Sequence, residues 1–143
     1  MNIPPFSIFS AISEVFVTIG VLFAIFSTLR GKPFPKVLLG VVIAFEFCVN
    51  VVYMAMRAAQ ADKSSELSTG MKLFFAAHGT LSLLMFLTLA VLYLISLMNE
   101  AKGQENWFRR HRLGSYVLVF FWMVSVISGE AIFYLRYLAP SAA

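Results

Sequence analysis

Four long apolar stretches, Phe6 to Leu29, Val37 to Met56, Leu73 to Met98 and Leu113 to Leu135, follow one another along the chain, separated by short polar segments. Each has at least the roughly 20 residues needed to cross a hydrocarbon core of about 30 Å at about 1.5 Å per residue. They are too long for strands, and a bilayer offers no water to the backbone, so each is expected to be a helix. The pattern predicts an all-α integral membrane protein. Its spans form a four-helix up-and-down bundle, a single domain over residues 1–143.

The segments between the spans carry helix punctuation. Pro4 and Pro5 precede the first span, and Gly31-Lys32-Pro33-Phe34-Pro35 stops it and restarts the chain, because proline suits the first turn of a helix but not its interior. The connection from Ala58 to Met71 is polar and rich in small residues, with Ser68 or Thr69 placed to cap the third helix. The third connection, Asn99 to Arg112, is strongly basic. Residues 1–29 read as a retained span, since there is no basic leader and the apolar run exceeds that of a signal peptide.

Composition strengthens this picture and removes several functions. Hydrophobic residues make up 60% and charged residues 13% of the chain, with a mean hydropathy of +0.84. A soluble domain carries about a quarter charged residues. The net charge of +4 comes from eleven Lys and Arg against seven acids, but the bases cluster at span ends rather than forming one patch, so no nucleic-acid partner is expected. Cys48 is the only cysteine, which excludes an intrachain disulfide and a CxxC site. No Ser-His-Asp, HExxH or phosphate-loop pattern is present, and the chain is expected to be no enzyme.

Charge also sets an orientation. The first and third connections hold Arg30, Lys32, Lys36, Lys102, Arg109, Arg110 and Arg112, whereas Arg57, Lys63, Lys72 and Arg136 lie on the other side. Bases accumulate in cytoplasmic loops, so both termini are expected outside, in a bacterial inner membrane. Trp107, Arg109, Arg110, His111 and Arg112, with Phe108, then read as an interfacial anchor in reach of lipid phosphates. His111 also stands where it would cap the fourth span.

Three of the acids, Glu14, Glu46 and Glu130, fall inside the apolar stretches, where an ionisable group is costly and calls for a partner. Helical rise places Glu14 about 13 Å in from Pro5, His78 about 9 Å from Lys72, Glu130 about 9 Å from Arg136 and Glu46 about 16 Å from Arg57. All four thus belong to one half of the bundle. Glu46, Asn50, Tyr53 and Arg57 share one stripe; His78, Ser82 and Met85 share another; Glu14 lies with Thr18, and Trp122 with Val126, Glu130, Tyr134 and Tyr137.

Three roles fit that polar centre. Mutual hydrogen bonding would join Glu14, Glu46, His78 and Glu130 to a structural cluster of Asn50, Ser82, Tyr53 and Arg57 and hold the spans together. A metal would take Glu14, Glu46, His78 and Glu130 as ligands, without the paired Glu-x-x-His repeats of di-metal bundles. Carboxyls held away from water can also carry protons, beside a quinone or another cofactor. A bis-histidine haem would need His111, which belongs to the opposite membrane face.

The second half carries a recognisable set of residues: Ala77-His78-Gly79, Trp107-Phe108-Arg109-Arg110-His111-Arg112, Trp122, Ser128-Gly129 and Tyr134. It resembles small four-span bacterial membrane proteins of a family of unknown function that includes haem–copper oxidase assembly factors. Family histidines map to His78 and His111, while a third, near the start of the second span, is replaced here by Phe34-Pro35-Lys36. The resemblance implies a non-catalytic accessory or assembly subunit of an energy-transducing complex of the cytochrome oxidase type, embedded in lipid beside other integral membrane subunits. The alternative is a small metal-, haem- or quinone-binding carrier of electrons or protons built on the Glu/His cluster.

Overall fold

The computed structural model describes residues 5–59 and 69–138, with the side chains of residues 51 and 53–59 left aside. These residues form helices and no strand: α1 (Pro5–Leu29), α2 (Lys36–Ala59), α3 (Thr69–Ala101), the single turn α4 (Trp107–Arg110) and α5 (Arg112–Phe133), which runs on as a π-helical turn over Tyr134–Leu138. Among the described residues, α1, α3 and the continuous segment Arg112–Leu138 are long and apolar enough to cross a membrane. At 33 residues, α3 is about 50 Å long, so a hydrocarbon core of about 30 Å fits well within it.

The helix ends at one extremity of the molecule are closed by backbone chemistry. Gly31 adopts φ +84° and Gly103 φ +68°, the left-handed conformation in which a side chain would collide with the backbone. Each lets the chain fold back onto the helix it terminates. Lys32 N–H donates to Ser27 C=O and Gly31 N–H to Thr28 C=O; likewise Gln104 N–H donates to Asn99 C=O and Gly103 N–H to Glu100 C=O. Carbonyls that would end α1 and α3 unpaired are thereby satisfied twice over in the same way.

The basic connection is more structured than its composition suggests. Asn106 Oδ1 accepts from Phe108 N–H at 3.0 Å and so starts α4. Phe108 is completely buried, its ring 5.8 Å from that of Phe34. Phe108, expected at the membrane interface, is instead driven into the core by the α4 turn, while Arg110, His111 and Arg112 stay exposed.

Packing runs around a ring, with α1 against α2 and α5, α3 against α2 and α5, and α4 resting on α1, α3 and α5. Val17, Val21, Ala24 and Ile25 of α1 recur at helical spacing and meet Leu39, Met85, Leu89, Leu118 and Trp122 in the core. Small hydroxyl residues, Thr28, Ser96 and Ser115, are also completely buried, whereas Phe16, Phe23, Val37, Leu73 and Phe120 point outward. Bulky apolar groups outside and small residues inside is the arrangement expected in lipid, where close backbone approach rather than hydrophobic burial joins helices. Gly31→Ala should lower stability by about 1 kcal/mol. A fall in the thermal unfolding midpoint of the detergent-solubilised protein would register it, with Gly70→Ala, whose added carbon meets no neighbour, leaving the midpoint in place.

Candidate functional site

The first half of α1, the later part of α2, the start of α3 and the end of α5 come together at the extremity opposite the glycine turns. Glu46 of α2 is only 7% exposed, and its Oε1 accepts from Asn50 Nδ2 at 2.7 Å. Glu14 of α1 is half-buried and interacts electrostatically with Glu46 and with Glu130. Trp122 Nε1–H donates to Thr18 Oγ1 at 3.2 Å, a buried bond that fixes α5 against α1 one turn below Glu14. Each pair sits on a stripe that spacing alone marks out.

His78 on α3 reaches across to α5. Its Nδ1 lies 2.8 Å from Ser128 Oγ, and Ser128 Oγ donates its single proton to Ser125 C=O at 2.7 Å. A hydroxyl has one proton to give, so Nδ1 carries the hydrogen in this contact and Nε2 presents a lone pair. Gly129 makes the crossing possible: a Cβ there would stand 2.9 Å from His78 Cε1. The imidazole lies against bare backbone.

Between the helices is a cavity of about 10 Å³, lined by Glu14, Glu46, Ser82, Met85, Phe86, Trp122, Ser125 and Val126. That is the scale of one water molecule. His78 and Glu130 are not part of its wall. Among the described residues no three His, Cys, Asp or Glu side chains are placed to hold a metal ion. The four residues expected as a ligand set are not gathered at one point in this structure: Asn50 holds Glu46, and His78 is turned to Ser128 on the neighbouring helix. Ser82 belongs to the cavity wall and Asn50 to Glu46, while the side chains of Tyr53 and Arg57 lie outside the described residues.

No known protein family, curated protein or solved structure matches this chain. Its site therefore rests on its own geometry.

At the far extremity the basic group divides. Arg109 donates from Nε to Thr28 C=O at 3.2 Å and from Nη2 to Lys32 C=O at 2.8 Å, clamping α4 onto the end of α1. Its guanidinium is thus engaged by backbone, where the sequence assigned it to lipid. Trp107 is partly buried, its ring 5.0 Å from that of His111 and tilted 35° to it, and Arg110, His111 and Arg112 are exposed. His111 occupies the start of α5 without a side-chain capping bond. Ser115 Oγ instead donates to Phe108 C=O at 2.9 Å and ties α5 to α4.

Ser125 and Ser128 are the residues that sequence spacing passed over. Following Trp122, Val126 and Glu130 at intervals of four selects one edge of α5, whereas Ser125 stands three residues from Trp122 on the adjacent edge. The π-helical turn is likewise unmarked in the sequence; it places the Arg136 guanidinium 5.8 Å from the Phe75 ring and 5.4 Å from that of Tyr137. Tyr137 Oη lies 3.3 Å from Ser7 Oγ.

Gly129→Ala should push the His78 ring off Ser128. Nitrogen NMR of the imidazole would show the Nδ1–H form giving way to a tautomer mixture, whereas Gly79→Ala, with open space at its added carbon, should leave the spectrum unchanged.

Proposed function

We propose that this chain is a four-span membrane protein serving as a non-catalytic accessory or assembly subunit of an energy-transducing complex of the cytochrome oxidase type. The observation that carries the proposal is the way interior polar groups spend their bonds on one another: Trp122 on Thr18, Glu46 on Asn50, His78 on Ser128. The first and third tie α5 to α1 and to α3, the second satisfies Glu46 within α2, and the space left among them is no larger than a water. The resemblance borne by His78, Trp107, His111, Trp122 and Gly129 supports the choice of complex.

In this proposal α2 is the fourth span. Its 24 residues suffice for the hydrocarbon core, and it packs between α1 and α3. The distribution of Lys and Arg supports termini on the outer side of a bacterial inner membrane, with the Gly31 turn and α4 in the cytoplasm. The face offered to a partner's transmembrane helix is an apolar groove of about 390 Å³ along α1 and α2, lined by Phe9, Ile12, Phe16, Val41 and Phe45 among others.

A strain lacking the protein should show reduced oxidase activity and incompletely assembled oxidase, and the tagged protein should copurify with oxidase subunits from mild detergent. Wild-type oxidase in that strain, together with a solitary monomer in detergent, would overturn the proposal. A second reading, a small proton carrier, draws on the interaction of Glu14 with both Glu46 and Glu130. The two differ at Glu130→Gln: a structural hydrogen-bonding role tolerates the amide, and a proton path loses its function in a complementation assay.

A further inference from the structure

The cavity among the four long helices has a composition that packing alone does not require. Each helix contributes one polar side chain to its wall: Glu14 from α1, Glu46 from α2, Ser82 from α3 and Ser125 from α5. Ser125 is only 6% exposed, and it lines this cavity beside the two carboxyls. Polar groups turned to an empty space go without the bonds that water would give them, at about 1–3 kcal/mol each, so four polar side chains around one water-sized cavity favour an occupant that bonds to them. The Glu46 oxygen not held by Asn50 is also available. The remaining wall, Met85, Phe86, Trp122 and Val126, is a ring of apolar groups.

We propose that this cavity holds a single water molecule that bridges Glu14, Glu46, Ser82 and Ser125 and shares a proton with the two carboxyls. The volume of about 10 Å³ matches one water, and a buried water needs two to four polar partners. Four are supplied, one from each long helix. The water accepts from the two serine hydroxyls and donates to the two carboxyls, so one molecule joins all four helices. A proton arriving at either carboxyl is passed along the Glu14–water–Glu46 bridge rather than confined to one oxygen.

The groups that face this bridge are accounted for on every packed element. Asn50 donates to Glu46 from its own helix, Glu130 of α5 acts on Glu14 through space, and His78 of α3, one turn before Ser82, is held by the Ser128 hydroxyl and the Ser125 backbone. The site requires only the geometry of the four helices and holds independently of the accessory role.

Infrared difference spectroscopy on the full chain in lipid bilayers tests it. Exchange into water labelled with oxygen-18 should shift one sharp water O–H band, and Ser125→Val, which fills the cavity, should abolish that band. Ser125→Ala, a milder change, should keep the band but move it to the frequency of a more weakly bonded water, while Ser128→Ala should leave it unmoved. Glu14→Gln should shift the carboxyl band of Glu46. Absence of a label-sensitive band in the wild-type protein, or a band indifferent to Ser125→Ala and Ser125→Val, would sink the proposal. So would a band that disappears when choline is replaced by sodium, which would assign the cavity to a cation.

Discussion

A polar group enclosed by apolar helices has no water to bond to and must find its partner inside the protein. Most of the architecture described above follows from that constraint. Trp122 needs an acceptor and takes Thr18; the His78 ring needs one and takes Ser128; Glu46 takes Asn50. Each choice draws two elements or two turns into a fixed relation, and together they set which faces of α1, α3 and α5 look inward. Hydrophobicity alone does not make that choice, because many large apolar side chains lie on the exterior as well as in the core. Phe16 is 69% exposed and Val17, its neighbour in sequence, 2%.

The two extremities solve the constraint differently. At the glycine end the unpaired groups are backbone carbonyls, and they are met by backbone N–H groups and by the guanidinium of Arg109, whose several donors reach two carbonyls at once. Phe108 seals the space beneath. The result is a rigid plug made from α4 and the ends of α1 and α3. At the carboxyl end the groups are side chains, with Glu46 held by Asn50 and His78 by Ser128. Small residues there leave room for a water-sized cavity instead of closing it.

A division of labour follows. The plugged end has the contacts of a structural joint, with aromatic rings, helix caps and paired carbonyls. The carboxyl end keeps polar groups close together with slack between them, and the π-helical turn of Tyr134–Leu138 widens the helix just beyond Glu130, a local irregularity that often accompanies functional sites.

How much the sequence alone determined can be judged element by element. Apolar runs of 20 residues or more settled the helices, since α1 begins and ends within a residue of its predicted bounds and α3 contains its predicted span, starting four residues earlier at Thr69 and ending three later at Ala101. Gly31 and the prolines after it marked the first turn because their backbone restrictions are local. Stripes at intervals of three and four correctly joined Glu46 to Asn50 and placed Thr18 and Trp122 on the inward faces, for helical spacing is a property of one chain segment. What no single segment encodes is the distance between faces. Only the tertiary structure sent His78 to Ser128 across the bare backbone of Gly129, took Arg109 from lipid to the end of α1, buried Phe108, and replaced a metal quartet with a cavity walled by Ser82 and Ser125. Those outcomes depend on how closely helices approach and at what rotation, which small residues such as Gly129 permit and which the hydropathy pattern does not record.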